Sequence, residues 1–182
     1  MANILILSQK GGAGKTTIAN ELVFALERKG KVVNFISVDP QGGSVHAERP
    51  VTNRAEYEIV DTPGNLNEDS AMWCRAADMI VIPVRASVRD LGPTLRTYEV
   101  AKAATKAPTV FVLNEYNARG RAEREFEEFA AGEGYEIIAR IPRRVAISNA
   151  AGTGESVAQY PDGKSAAAFF DDLATAITER ME

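Results

Sequence analysis

The chain is poor in the residues that build metal cages and covalent staples. It has one cysteine, Cys74, and one histidine, His46, in 182 residues. A single thiol excludes an intrachain disulfide, a CxxC redox pair and a cysteine-built metal cage. His46 has no second ligand at a plausible spacing and is expected in a surface loop. No stretch approaches the ~18 apolar residues of a membrane span, and no basic n-region with a cleavage site precedes the first strand-like run. Positive charge is not in excess either: 21 Lys and Arg against 25 Asp and Glu give a net charge of −4. That excludes a uniformly basic nucleic-acid coat, so any DNA contact must come from a local patch or an assembled oligomer. Internal repeats, low-complexity tracts and linkers are missing too. These absences lead us to expect a cytoplasmic protein with one domain over residues 1–182, long enough to bury a core.

What is present is an alternation of apolar runs and helical patterns. "NILILS", "KVVNFISVD", "YEIVD", "DMIVIPV", "APTVFVL" and "YEIIARI" read as strands. Between them, helices are predicted over Lys15 to Lys29, Asp69–Ala76, Pro93–Thr105 and Arg121–Ala131, with a last one over Ser165 to Met181. In the first, Ile18, Leu22, Ala25 and Leu26 share a face and Gly30 stops the helix. Pro93 suits a first helical position, so the third helix is predicted to start there. The alternation predicts an α/β fold, a mostly parallel twisted sheet with helices on both faces. Nearly all-apolar strands fit a sheet covered on both sides.

The first strand runs into "SQKGGAGKTT", Ser8 to Thr17. In the strict pattern G-x-x-x-x-G-K-[ST] the first position falls at Ser8 or Gln9, so the first glycine is displaced. What remains is GGAGKTT between a strand and a helix, the context a phosphate loop requires. Gly11, Gly12, Ala13 and Gly14 let backbone N–H groups face phosphates, and the helix dipole adds to them. Lys15 is expected at the β- and γ-phosphates, the Thr16 hydroxyl at Mg²⁺ and Thr17 at the α-phosphate. Asp39, in "SVDPQGG", and Asp61, in "VDTPG", end their strands on the same edge, where ligands of open parallel sheets bind. A strand-end aspartate by itself is often only a cap or turn residue. With the loop, Thr16, Asp39 and Asp61 become a candidate metal set.

Taken together, "KGGAGKTT", "DPQG", "IVDTPG" followed by "AADMIVIPV", and "IPRRVAISNA" resemble the ParA/MinD family of deviant Walker A P-loop ATPases, and most of all its short plasmid- and chromosome-partition members. The resemblance covers nearly the whole chain. It implies ATP and Mg²⁺ as ligands and slow, partner-stimulated ATP hydrolysis. It implies an ATP-dependent homodimer and catalytic roles for Lys10, Lys15 and Asp39. Lys10 would be the signature lysine, crossing the dimer interface to the phosphates in the facing subunit. Asp39 would lie in switch I and orient the attacking water. Asp61 would be the Walker B carboxylate, with Gly64 in switch II. Asn114 would meet the adenine edge and Pro142 would cover the base.

The same resemblance implies nonspecific DNA as a partner of the dimer, a centromere-binding adaptor, and nucleoid association when ATP is bound. Arg143, Arg144 and Lys164 are the candidate DNA contacts, with a weaker cluster at Arg119, Arg121 and Arg124. Two other branches of the family fit less well. Cys74 cannot by itself ligate a cluster and reads as a buried small hydrophobe. The last helix has an acidic polar face that anionic lipid would repel. There are departures as well. Ser37 stands where relatives often carry an aspartate, and the segment from Asp39 to Asp61 is too short for the helices many of them insert. No helix-turn-helix precedes the first strand, so autorepression is not expected. Two other jobs remain open: positioning a non-DNA cargo on the nucleoid, and acting as a noncatalytic nucleotide-dependent scaffold.

Overall fold

In the computed structural model, residues 1–39, 44, 46, 50–64 and 68–181 are described. Pro40 to Gly43, the rest of the "DPQGG" segment, lie outside them. The strands are β1 (Ala2–Ile6), β2 (Val33–Ser37), β3 (Tyr57–Asp61), β4 (Met79–Val84), β5 (Thr109–Tyr116) and β6 (Ile137–Pro142). The helices are α1 (Lys15–Arg28), α2 (Glu68–Ala76), α3 (Val88–Ala104), α4 (Arg121–Gly132), α5 (Val145–Thr153) and α6 (Lys164–Met181), with a 3₁₀ turn at Val157–Gln159. The sheet has the order β2-β3-β1-β4-β5-β6, and each neighbouring pair is parallel.

Alternation along β1 divides the core. Ile4 and Ile6 turn to one face, against Ile18, Leu22 and Leu26 of α1 and Phe170, Leu173 and Ile177 of α6. Leu5 and Leu7 turn to the other, with Cys74 of α2, Ala101 of α3 and Phe126 of α4. Every residue of β4 is buried, because both of its faces are covered. Cys74 is fully buried, and burial pushes its thiol up to about 11, so it behaves as a small hydrophobe. Among the described residues no helix is long and apolar enough to cross a membrane.

Four local expectations need correction. Helix α3 starts at Val88, a turn before Pro93, which therefore lies inside it. Leu91 N–H already donates to Ser87 O, so proline removes only the single rung that its own N–H would make. Strand β5 continues past Leu113 to Tyr116, because a bulge between Asn114 and Tyr116 absorbs a register shift. Helix α5 lacks a strong apolar stripe, and Val145 is 77% exposed at its start, so periodicity missed it. His46 is buried rather than on the surface: its ring lies 4.5 Å from Phe24 and 5.6 Å from Phe35, and its Nε2 lies 3.2 Å from Asn20 O.

Helix α3 yields a test. Gly92 sits within it, directly before Pro93. Beyond its chain neighbours a Cβ there would meet only Arg96 Nη1, at an ordinary 3.5 Å, but a helical residue before proline sets its Cβ against the proline Cδ. Gly92→Ala is therefore expected to forfeit the ~1 kcal/mol that alanine gains over glycine in a helix interior. Urea titration should show an unchanged or lower midpoint with an unchanged slope, and a midpoint raised by the full alanine gain would mean that the proline ring does not crowd this position.

Candidate functional site

The carboxyl ends of β1, β3 and β4 meet at one edge of the sheet. Leu7 N–H donates to Val81 O and Thr62 Oγ1 to Ile6 O, which locks the loop after β1 between its neighbours. The loop then turns through Gly12 (φ 75°) and Gly14 (φ 97°), in the left-handed region that side chains disfavour. Gly14 is needed twice over, since a Cβ there would fall 2.1 Å from Asn114 Nδ2. Helix α1 begins at the next residue, with its free N–H groups at the loop.

Lys15 is only 7% exposed. Burial lowers its pKa, and the charges of Asp61 and Asp39 oppose that shift. Thr16 Oγ1 donates to Asp61 Oδ2 at 2.8 Å. Asp61 is 1% exposed, and burial pushes its pKa up to about 6 against the Thr16 hydrogen bond and Lys15. Its second oxygen, Oδ1, is buried with no hydrogen-bond partner among the described residues. The pair Thr16 and Asp61 therefore has an unused anionic acceptor beside a hydroxyl, a donor set that suits a hydrated Mg²⁺. Gly64 lies against the loop: a Cβ there would come within 3.6 Å of Gly11 Cα and 3.7 Å of Lys15 Nζ.

The structure thus brings Lys15, Thr16, Asp39 and Asp61 together. Lys10 is sorted elsewhere. Its Nζ pairs with Asp90 Oδ1 of α3 at 3.2 Å, and its side chain is 43% exposed. The same helix holds Gln9: Thr97 Oγ1 accepts from Gln9 N–H at 3.0 Å, and Arg96 Nε donates to Gln9 Oε1. Asp90 and the α3 contacts carry no sequence signature and were not expected.

Beside the loop, Gly14, Thr17, Asn114, Pro142, Arg143 and Arg144 line a cavity of about 80 Å³ together with Arg85, Glu115 and residues of α5. Asn114 lies within β5, and its Nδ2 donates to Ala13 O at 2.9 Å, so it braces the phosphate loop. Arg143 and Arg144 are exposed, and both line this cavity. Arg144 also borders a larger cavity, about 440 Å³, with Ser165 of α6, one residue from Lys164. By contrast Arg121 is paired with Glu125, Arg140 with Glu127, and Arg124 donates to Arg119 O.

One further group was missed. Glu21 of α1 is 4% exposed, and its carboxylate accepts from Val157 N–H at 2.7 Å and Ser156 Oγ at 3.2 Å. A lone glutamate on a helix gives no sequence signal of burial, because its partners lie more than a hundred residues away.

Residues 4–157 match the family described as the CobQ/CobB/MinD/ParA nucleotide binding domain. The chain is 30% identical to the maintenance of carboxysome distribution protein A of Halothiobacillus neapolitanus, over 90% of each sequence. It is 24% identical to the chromosome-partitioning ATPase Soj of Thermus thermophilus, over 98% of this chain and 96% of that one. The Cyanothece McdA–ATP complex superimposes with a TM-score of 0.83 over 98% of this chain and 96% of that chain, at 16% identity. The family match spans most of the chain and begins in the strand that feeds the phosphate loop: the protein belongs to the CobQ/CobB/MinD/ParA family of nucleotide-binding domains.

Proposed function

We propose that the chain is a ParA-type partition ATPase. It binds ATP with Mg²⁺, dimerises on ATP and binds DNA nonspecifically as the dimer. With a centromere-binding adaptor it segregates plasmid or chromosome DNA, and the ATP dimer resides on the nucleoid. The observation that carries this reading is the sorting of the two loop lysines: Lys15 is buried among Asp61 and Asp39, while Lys10 is half-exposed on Asp90. On this reading Lys15 serves the chain's own phosphates, and Lys10 exchanges Asp90 for the phosphates of a facing subunit.

In this mechanism the N–H groups from Gly11 to Thr17 and the Lys15 ammonium hold the triphosphate. Thr16 and Asp61 would hold Mg²⁺, which would supply neutralisation of phosphate charge. Asp39 orients and activates the attacking water. Two nucleotides facing each other crowd many phosphate oxygens, and Lys10 from each partner offsets that repulsion. Loss of the γ-phosphate removes these contacts and releases the dimer. Arg143, Arg144 and Lys164 contact DNA phosphates, and the dimer doubles their number.

A second reading keeps this machine and changes its cargo. The relative from Halothiobacillus is named for carboxysome distribution, and the match covers 90% of each chain. On that reading the adaptor would tie a protein organelle, rather than a centromere, to the nucleoid. Co-purification of the adaptor with a DNA site or with an organelle shell separates the two. Steady ATP turnover separates both from a noncatalytic scaffold.

Lys10→Ala is expected to bind ATP with only modestly weakened affinity but to remain monomeric with a nonhydrolysable analogue, and to lose DNA retention with the dimer. Light scattering gives the mass. A Lys10→Ala dimer that holds DNA like the native chain would sink the trans-acting lysine.

Asp39→Ala is expected to keep ATP binding, lower turnover by about 10²-fold or more and prolong the dimer. Loss of binding in calorimetric titration would make Asp39 a metal or structural group instead.

Asp61 yields a pH test. The folded protein holds its proton with a pKa of about 6, whereas the unfolded chain releases it near 3.8. Between those values the folded state binds more protons than the unfolded one. Stability therefore falls as pH rises from about 4 to 6, by at most ~3 kcal/mol. Without metal or nucleotide, Asp61→Asn is expected to melt above the native protein at pH 8. The margin should shrink as pH falls through 6 towards 4, because both proteins are then neutral at this site. With ATP and Mg²⁺ the order should reverse. Melts in chelator that show no pH-dependent margin would remove burial as the source of the Asp61 shift.

A further inference from the structure

Arg85 and Glu115 belong to none of the phosphate groups, yet both line the cavity beside Gly14, Thr17 and Pro142. Arg85 directly follows β4. Glu115 lies in the bulge of β5 with φ 54°, the one positive φ outside glycine among the described residues. Left-handed backbone is costly for a glutamate and tends to persist where a site depends on it. Its effect is to aim the carboxylate at Arg85, whose Nη2 donates to Glu115 Oε1 at 2.5 Å. Arg85 Nε is buried with no hydrogen-bond partner among the described residues. The outer part of the pair is open, with the Arg85 side chain 42% and the Glu115 side chain 39% exposed. The guanidinium has further N–H donors beyond the one it gives Glu115, and the carboxylate has acceptor sites beyond the one Arg85 takes.

A donor beside an acceptor has a definite complement among the bases. Adenine presents its N6 amino donor next to the N7 acceptor. Guanine presents two acceptors there, O6 and N7. A carboxylate only accepts and a guanidinium only donates. Adenine can give N6–H to Glu115 and take a hydrogen bond from Arg85 at N7. Guanine would set O6 against the Glu115 carboxylate, acceptor against acceptor, and lose the hydrogen bond that adenine makes there. We propose that Arg85 and Glu115 read the N6/N7 edge of the purine and select adenine over guanine. The proposal rests on the nucleotide reading of the phosphate loop and adds a base-selecting pair to it. A purely structural pin between β4 and β5 would have no preference between bases.

The test uses the full-length chain with Mg²⁺ and three probes: ADP, GDP and inorganic tripolyphosphate. Affinities are measured by calorimetry for the native protein, Glu115→Gln and Glu115→Gly. Glycine accepts the left-handed backbone, so that variant keeps the bulge without the carboxylate. Glutamine keeps the shape and can turn an amide N–H towards O6. The native chain is expected to prefer ADP to GDP by tenfold or more. Both variants should narrow that ratio by about tenfold, the worth of one hydrogen bond to a charged group. Glu115→Gln should do so partly by tightening GDP, and tripolyphosphate should bind all three proteins within about twofold. An ADP:GDP ratio unchanged in both variants overturns the proposal and leaves the phosphate site standing. Equal losses for ADP, GDP and tripolyphosphate overturn it too, in favour of a structural pin. A native chain that binds none of the three overturns the nucleotide reading itself.

Discussion

The structure depends on burying a cation and an anion together at the carboxyl edge of the sheet. Lys15 is 7% exposed and Asp61 1% exposed, and desolvation drives each towards its neutral form. Neither compensates the other fully, because Asp61 keeps one oxygen unpartnered among the described residues. A buried carboxylate lifted to about 6 is a standing cost in the free protein. A phosphate for Lys15 and a cation for Asp61 would relieve both groups at once. A ligand that binds the folded chain alone also stabilises it by mass action. Fold stability and nucleotide binding are thus tied through the same two side chains.

That constraint explains where the second lysine of the loop sits. A further ammonium beside Lys15 would have to be desolvated in the same small space. Lys10 is instead half-exposed, with the Asp90 carboxylate of α3 at 3.2 Å. Helix α3 grips the loop at adjacent points, through Thr97 on Gln9 N–H and Arg96 on the Gln9 side chain. Thr97 is itself anchored: its hydroxyl donates to Pro93 O at 2.8 Å. The proline inside α3 therefore stands next to the groups that fix the front of the loop. On the proposed mechanism, moving Lys10 to a facing subunit means exchanging Asp90 for phosphate, a trade of one anion for a stronger one.

The phosphate side was legible in the sequence because it is local. Seven consecutive residues, Gly11 to Thr17, carry their own conformation: glycines at the left-handed positions, then the lysine at the first helical position. Asp61 was legible because a strand-end carboxylate in an apolar run stands out. The cavity beside the loop was legible only in part, at Asn114 and Pro142, because it is assembled from separate strand ends. Arg85 follows β4, Glu115 sits in a bulge of β5, and their pairing spans thirty residues. No period or spacing encodes a bulge. Asn114 was recognisable as a site residue, but its use as a brace on Ala13 O follows only from the close approach of β5 to Gly14. Likewise His46 looked like a surface residue, because the rings that bury it, Phe24 and Phe35, lie on α1 and β2 and not beside it in sequence.

Helix α1 joins the two sides into one body. Its first turn carries Lys15, Thr16 and Thr17, with Thr17 at the wall of the cavity shared with Asn114 and Pro142. One turn on, Glu21 reaches away from the phosphates and accepts from Val157 N–H and Ser156 Oγ, in the turn that follows α5. Helix α5 supplies Ile147, Ser148 and Ala151 to the other wall of the same cavity. Arg28, two turns further along α1, donates to Ser156 Oγ and pairs with Asp171 of α6. Burial raises the pKa of Glu21, so its charge is held there against a desolvation cost by those two hydrogen bonds and Arg28. An apolar residue could fill that space without desolvating a charge, but it could not fix the turn by its backbone N–H. The buried glutamate thus ties α1, which begins at the phosphate loop, to the turn that follows α5, whose residues line the cavity beside Thr17.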